Sequence, residues 1–470
     1  MLNGKDLLAA GVPQNRHFGA ALAAANQTLA DTGDRAAAIA AAMAIGDVPQ
    51  MKLAPAGDKP LYVNLDAETD DERANREACI ASMTEMLRTP PVREGALMPD
   101  ACPAGPLGTI PVGGIATSSA IHPGMHSADI CCSMAISILP DAEPAALLDA
   151  VHAVTHFGPG GRPKQVAMPD ALARAMADDP LLGPDLPAAE KHFATQGDGN
   201  HFAFVGRLRS DGRTALVTHH GSRGPGALLY KQGMALAERN RREHAPDTLK
   251  GNAWIEADTA DGDRYWTALQ LIRAWTKANH FAIHDMAAER LGVRPKDRFW
   301  NEHNFVFRRS DGLFHHGKGA TPAWQGWADD ATDLTIIPLN MREPILIVRG
   351  ANAPNGLGFS PHGAGRNMSR TAHKRRVGDR SERDVFAEET AGIDARFFCN
   401  EIDVSELPSA YKDAAAVREQ IGRFGLAEVV DEVVPHGCIM AGDWERNAPW
   451  KVRARKKWEA KARREAEAKG

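Results

Sequence analysis

The chain has 470 residues, 55 Lys plus Arg against 60 Asp plus Glu, and 43% hydrophobic positions, a balance that suits one large or two medium soluble domains and excludes a disordered or collagen-like chain. Its net charge of −5 excludes a uniformly basic nucleic-acid coat, and no run approaches the roughly 18 apolar residues of a membrane span. Six cysteines without framework spacing exclude a disulfide scaffold and point to a reducing, cytoplasmic setting.

In chain order, residues 1–90 predict helices. An Ala-rich stretch from Ala20 to Ala44 is followed by DAETDDERANREACIASMTEML, where Asp66 to Asp71 are expected to cap the last helix. The opening segment has no basic stretch leading into a long apolar one, so neither secretion nor membrane insertion is expected. After Pro90 the texture changes to Gly, Pro and β-branched residues, which predicts short strands and tight turns. Helical patterns return between 141 and 195. GDGNHFAFVG and RTALVTHHGSRGPG then read as strands with glycine turns, residues 226–292 as helical, and 298–362 as short strands. The alternation predicts an α+β fold: one large domain of mixed sheets flanked by helices over 91–440, an N-terminal helical extension over 1–90 and a basic tail over 441–470. From Arg446 to Gly470 there are ten Lys or Arg against three Glu, which reads either as a solvated helix or as a contact for a phosphate backbone.

Histidine is the unusual feature of the composition: there are 18, many beside Gly, Asn or Asp. Asp129 and Cys132, three apart in HSADICCSM, offer a carboxylate and a thiolate to one ion if the segment turns once. A buried cysteine is otherwise a small hydrophobe. His201 in GDGNHF, His219 in VTHHGSRGPG and His303 in NEHNFVF sit at expected strand or turn boundaries. With Asp129 and Cys132 they exceed the ligands one metal needs, which makes a two-metal centre with a shared ligand arguable. His220 and His284 are competing neighbours. In SPHGAGRNMSRTAHKRR, glycines follow His362, and Arg366, Arg370, Lys374, Arg375 and Arg376 bring positive charge. An accessible imidazole in such a setting suits a nucleophile for phosphorus; otherwise the segment is a glycine turn and a solvated basic helix. HHGKGATPAW repeats the theme with Lys318.

The blocks MPDACPAGPLGTIPVGG, DICCSM, GDGNHF, HHGSRGPG, HNFV, GKGAT, SPHGAGRNMSR and AYKD occur in this order over roughly 97–415, and in that order the chain resembles the RtcB family of GTP-dependent RNA ligases. The resemblance implies ligation of an RNA 3'-phosphate or 2',3'-cyclic phosphate end to a 5'-hydroxyl end, in RNA repair or tRNA splicing. It implies two Mn²⁺ ions held by Asp129, Cys132, His201, His219 and His303, with Cys132 bridging, and GMP carried on His362. It also places Asn200, His303, Asn304, His362, Gly363, Ala364 and Gly365 at the guanylate. RNA is the implied partner, an archease-like protein the implied activator, and no membrane is implied.

The departures are specific. Cys102 stands where the family usually has His; DIGCG is DICCS; and a Glu two positions after GNHF is Phe204. A glycine-rich phosphate turn reads PLNMR at Pro338 to Arg342, where Arg342 is expected to supply charge in place of amides. The C-terminal nucleotide lysine is replaced by CIMAGDW, with Lys451 about ten residues beyond. Two other readings stand beside ligation: a metal-dependent RNA-end phosphoesterase, and a non-catalytic RNA-binding paralogue that uses the arginines of 366–383 and the tail.

Overall fold

The computed structural model describes residues 1–14, 17–46, 50–444 and 446. All of the expected basic tail beyond Arg446, with Lys451, lies outside the described residues. The strands in chain order are β1 (Leu61–Val63), β2 (Val92–Cys102), β3 (Val112–Ser118), β4 (Ser133–Ile138) and β5 (Phe202–Leu208). Then come β6 (Thr214–His220), β7 (Asp297–Glu302), β8 (Asn304–Arg308), β9 (Phe314–Lys318) and β10 (Ala320–Pro322). The last are β11 (Leu334–Ile337), β12 (Ile345–Gly350), β13 (Phe359–Pro361), β14 (Asp394–Phe397) and β15 (Ala427–Met440).

They form mixed sheets. One has five strands in the order β1-β2-β3-β9-β8, and another has eight, β11-β12-β15-β5-β6-β4-β7, with β14 pairing beside β15. β10 and β13 make a small ribbon. The pairs β1–β2 and β14–β15 are parallel and the others antiparallel. β4 and β6 are buried at every position, which explains their near-continuous apolar and hydroxyl composition: both faces of the large sheet are covered.

The helix Ala260–Leu291 covers one face. Thr259 caps its start by accepting from the Gly262 amide, and Gly292, at φ 67°, ends it in the left-handed conformation. Tyr265, Leu269, Ile272, Trp275, Asn279, His280, Ile283 and His284 recur at helical spacing and are buried. His280 and His284 meet hydroxyls of the sheet: Thr218 Oγ1 bridges His280 Nδ1 at 2.7 Å and His284 Nε2 at 2.8 Å. Ser133 lies 3.0 Å from the other His280 nitrogen, and Ser137 2.7 Å from that of His284.

Within the stretch expected to be helical, Leu61–Val63 instead form β1 and pair with β2 in the five-stranded sheet, while the helix expected after Asp66 is present as Asp70–Met86 and packs Cys79, Met83 and Met86 into the core beneath that sheet. That helix is capped by Thr69 with Glu72 in a reciprocal capping box, while Asp66 turns away to pair with Arg423. Ahead of it the helices Phe18–Thr32 and Arg35–Gly46 share a small alanine-rich core of their own. Among the described residues no helix is long and apolar enough to cross a membrane.

Candidate active site

Between β7 and β8 the chain passes from the eight-stranded sheet to the five-stranded one, and His303 is the single residue at the crossing. Its amide donates to Cys132 O at 2.8 Å and its carbonyl accepts from Ala320 N at 3.0 Å, so the imidazole is fixed where the sheets meet. Cys132 ends the turn that precedes β4: its amide donates to Asp129 O at 3.2 Å. The single turn that sequence spacing required is present. His219 lies on β6 and His201 immediately before β5.

These residues form two three-ligand sets that share one thiol: Cys132, His219 and His303, and Asp129, Cys132 and His201, the ligand atoms of each set within 4.8 Å of one another. Their hydrogen bonds decide what lies at the centre. His201 Nδ1 donates to Gln196 O at 2.7 Å and His219 Nδ1 to Asn200 O at 3.1 Å. A carbonyl only accepts, so in each neutral ring the proton is on Nδ1 and Nε2 carries a lone pair. The bare Nε2 of His201 faces Asp129 Oδ2 at 3.0 Å and Cys132 Sγ at 3.6 Å. That of His219 faces His303 Nε2 at 3.1 Å and Cys132 Sγ at 3.2 Å. Burial lowers the His219 pKa to about 3 and that of His303 well below the ordinary range, so both imidazoles are neutral at neutral pH, while burial and the neighbouring Asp129 push the Cys132 thiol up, a proton that a bound cation would displace. Imidazole, thiolate and carboxylate donors converging without enough hydrogens between them fit divalent metal.

His362 follows β13 and stands beside this cluster, its ring 4.7 Å from that of His303 between centroids. His362 Nδ1 donates to Asp100 Oδ2 at 2.6 Å, and the same oxygen accepts from the backbone amides of His362 and Gly363 at 3.2 and 3.3 Å. Asp100 is fully buried. It therefore holds the neutral-ring tautomer in which His362 Nε2 carries the lone pair. The turn after His362 needs glycine: Gly365 has φ 71°, and a Cβ there would sit 1.9 Å from Asp100 O.

A cavity of about 250 Å³ opens beside His362. Asn200, His362, Gly363, Ala364 and Gly365 line it, as do Cys102 and Phe204 and the Pro338 to Met341 turn. His303 and Asn304, also expected at the guanylate, do not line it. The Asn304 side chain bridges Gly319 N, at 2.7 Å, to Asp129 O, at 3.4 Å, bracing the Asp129–Cys132 turn against the end of β9.

Several expected roles change in the structure. Arg342 is exposed and lies away from the cavity lining, because Asn340 Oδ1 draws the amides of Arg342 and Glu343 into a local turn at 3.0 and 3.1 Å. Several of the cations after His362 pair with distant carboxylates. Arg366 and Arg370 both meet the buried Glu406 at 2.8 Å, Lys374 meets Asp403 at 3.0 Å, and Arg376 meets Asp71 at 2.5 Å. Arg370, Lys374, Arg375 and Arg376 nevertheless stay exposed on the helix Arg370–Val377, and Arg375 makes no ion pair among the described residues, so the stretch is a glycine turn and a solvated basic helix whose charge is partly paired. Lys318 donates to Ile110 O at 2.9 Å, burial lowering its pKa to about 8. His220 points to the opposite face of β6 from His219 and stacks on His280 at 3.4 Å, and His284 is held by hydroxyls. Asp100 was the residue sequence reasoning missed. Its only signal is a carboxylate amid the apolar and small residues of ALMPDA.

The model of the family described as tRNA-splicing ligase RtcB matches residues 174–441. Among curated relatives, a tRNA-splicing ligase RtcB of Aeropyrum pernix is 27% identical over 288 residues, 53% of this chain and 59% of that protein. One from Thermococcus kodakarensis is 26% identical over 324 residues, 60% and 64% of the two chains. The RNA-splicing ligase RtcB of Escherichia coli K12 is 29% identical over 265 residues, 53% and 61%. The chain thus spans about three fifths of the length of the curated relatives it matches. With the match extending over more than half of its residues, this α+β chain belongs to the RtcB family.

Proposed function

We propose that the protein is an RNA ligase that joins 3'-phosphate or 2',3'-cyclic phosphate ends to 5'-hydroxyl ends, using GTP and a GMP carried on His362. The observation that carries this reading is the Asp100–His362 pair beside the Cys132 cluster: a nucleophilic nitrogen with its tautomer fixed, next to a set of metal donors. Asp129, Cys132, His201, His219 and His303 would hold two Mn²⁺ ions with Cys132 shared. Such ions, when bound, supply positive charge for phosphoryl oxygens.

In the first step His362 Nε2 attacks the α-phosphorus of GTP, the N–P bond forms, the bond to the β-phosphate oxygen breaks and pyrophosphate leaves, while the Nδ1 proton stays on the Asp100 side. An RNA 3'-phosphate oxygen then attacks the same phosphorus and the N–P bond breaks. Finally the 5'-hydroxyl oxygen attacks the RNA phosphorus, its proton goes to solvent and GMP leaves. A cyclic end is opened by water beforehand. Arg162 and Arg223 have no carboxylate partner among the described residues, and Arg223 lies within electrostatic reach of Asp129. Arg223 supplies charge for an RNA phosphate next to the cluster.

The phosphoesterase reading draws support from the Pro338–Arg342 turn, whose Arg342 and Glu343 amides are already taken by Asn340. One experiment separates the two. RNA strands bearing 3'-phosphate or cyclic phosphate and 5'-hydroxyl ends are incubated with protein, Mn²⁺ and GTP, and resolved by denaturing electrophoresis. Ligated product that disappears in His362→Ala supports ligation. Cyclic-end opening without joined product, unaffected by His362→Ala, would replace it with the phosphoesterase.

A further inference from the structure

Lys412, the lysine of the AYKD block, is only 6% exposed and carries its ammonium group into the core. Its Nζ donates to Pro99 O at 2.9 Å and to Ala101 O at 2.7 Å, the carbonyls on either side of Asp100. Its own amide donates to Gly365 O at 3.0 Å. One residue thus joins the strand that carries Asp100 to the turn that seats His362.

The need for a long donor arises in β2. The register of β2 against β3 shifts between Leu97 and Cys102, and on the other side β1 ends at Val63, opposite Leu97. Pro99, Asp100 and Ala101 therefore run as a bulge, which re-aims a side chain and interrupts the ladder. A buried carbonyl without a donor is costly. Asn75 Nδ2 also donates to Ala101 O, at 2.8 Å, but of the two side chains only Lys412 reaches both carbonyls. Gly113, at φ 71°, closes in on the same segment: a Cβ there would lie 2.7 Å from Ala101 Cα and from Asp100 Oδ1. That oxygen is buried without a hydrogen-bond partner, so the aim of the carboxylate is set by the backbone beneath it and by the three donors on Oδ2. Burial pushes the Lys412 pKa down, and the charge of Asp100 opposes that shift.

The geometry points to Lys412 as a positioning residue for nucleotidyl transfer: by gripping the carbonyls before and after Asp100 it aims the carboxylate at His362 Nδ1. Lys412 does not line the cavity beside His362, so it acts through Asp100 and not on the nucleotide. The inference rests on the nucleotidyl-transfer reading given above and adds a residue to it.

The test is a double-mutant cycle on the full chain with Mn²⁺ and α-labelled GTP, following acid-labile label on the protein. The variants are Lys412→Met, which removes the donors and keeps much of the volume, Asp100→Asn, and the two together. Lys412→Met should lower the rate at saturating GTP by about 10²-fold, the scale of a misplacement of about 1 Å, with KM for GTP and bound Mn²⁺ unchanged. The double variant should stay within about fivefold of Asp100→Asn alone, because residues acting as one unit do not add. A Lys412→Met rate within about fivefold of wild type, a loss confined to KM, or a double variant more than about fivefold below Asp100→Asn overturns the inference and leaves the nucleotidyl-transfer reading standing. Where Lys412→Met does not fold, Lys412→Gln, which keeps an amide donor, runs the same cycle under the same criteria. Absence of label from the unsubstituted protein overturns both.

Discussion

Asp100 and His362 lie 262 positions apart, yet one carboxylate oxygen of the first receives both the Nδ1 proton and the backbone amide of the second. The pairing fixes ring, tautomer and main chain together, because Asp100 sits near the end of β2 and His362 just after β13. A buried carboxylate with three donors has no reason to move, and it leaves Nε2 of His362 without a proton.

Asp100→Asn keeps the shape but offers an amide in place of an anion, which lets the His362 tautomer invert. Label transfer from GTP should fall by about 10²-fold or more. Unchanged far-ultraviolet circular dichroism and unchanged KM, with the loss confined to kcat, are the expected companions; a loss in KM alone would count against a tautomer role.

Cys132 is the only residue common to both donor sets. Cys132→Ala should therefore lower bound metal at both positions, from about two equivalents to well under one, as measured by mass spectrometry of Mn²⁺-loaded, desalted protein. Loss of a single equivalent would show that the thiol is not shared.

Gly365→Ala places a Cβ against the Asp100 carbonyl at a positive φ. The cost should be about 3 kcal/mol, read from the urea unfolding midpoint. Label transfer should fall as well, since the same turn seats His362.

Asp330 ties the long helix to β7. It accepts from Arg273 at 2.7 Å and from Trp300 Nε1 at 3.1 Å, and it pairs with Lys277. Burial pushes its pKa up, but the hydrogen bond from Lys277 and the charge and hydrogen bond of Arg273 win and hold it below the ordinary carboxylate range. The folded pKa is depressed, so this stability is present above the unfolded value, about 4, and is lost as pH falls through the folded one. Asp330→Asn should lower the urea midpoint at pH 7, and the gap from wild type should close below about pH 4; a gap that persists into acid would assign the effect to packing.

The clustering of Asp129, Cys132, His201, His219 and His303 was legible because residue type at strand boundaries carries it: Asp129 and Cys132 one turn apart, and the three histidines each at a strand edge. The choice of His219 over His220 follows from strand alternation once the opposite face of β6 is known to meet the helix Ala260–Leu291. Asp100 was not legible as a partner of His362, since nothing local joins them. The pairing of part of the charge after His362 was hidden for the same reason: Glu406, Asp403 and Asp71, which meet Arg366, Lys374 and Arg376, are far away in sequence. The strand Leu61–Val63 at the edge of the first sheet was also hidden, because a three-residue strand leaves no periodic signature.

The hydroxyl and imidazole chain on the far side of the large sheet bears on the site without touching substrate. Ser133, Thr218, His280, His284 and Ser137 satisfy one another only in the present pairing of β4 with β6. A slip of β6 by one residue would turn Thr218 toward the cavity and carry His220 into the place of His219, stranding two buried imidazoles at once. The polar layer under the helix thus works as a register lock: the cost of unsatisfied groups in the core keeps His219 on the side of the Cys132 cluster.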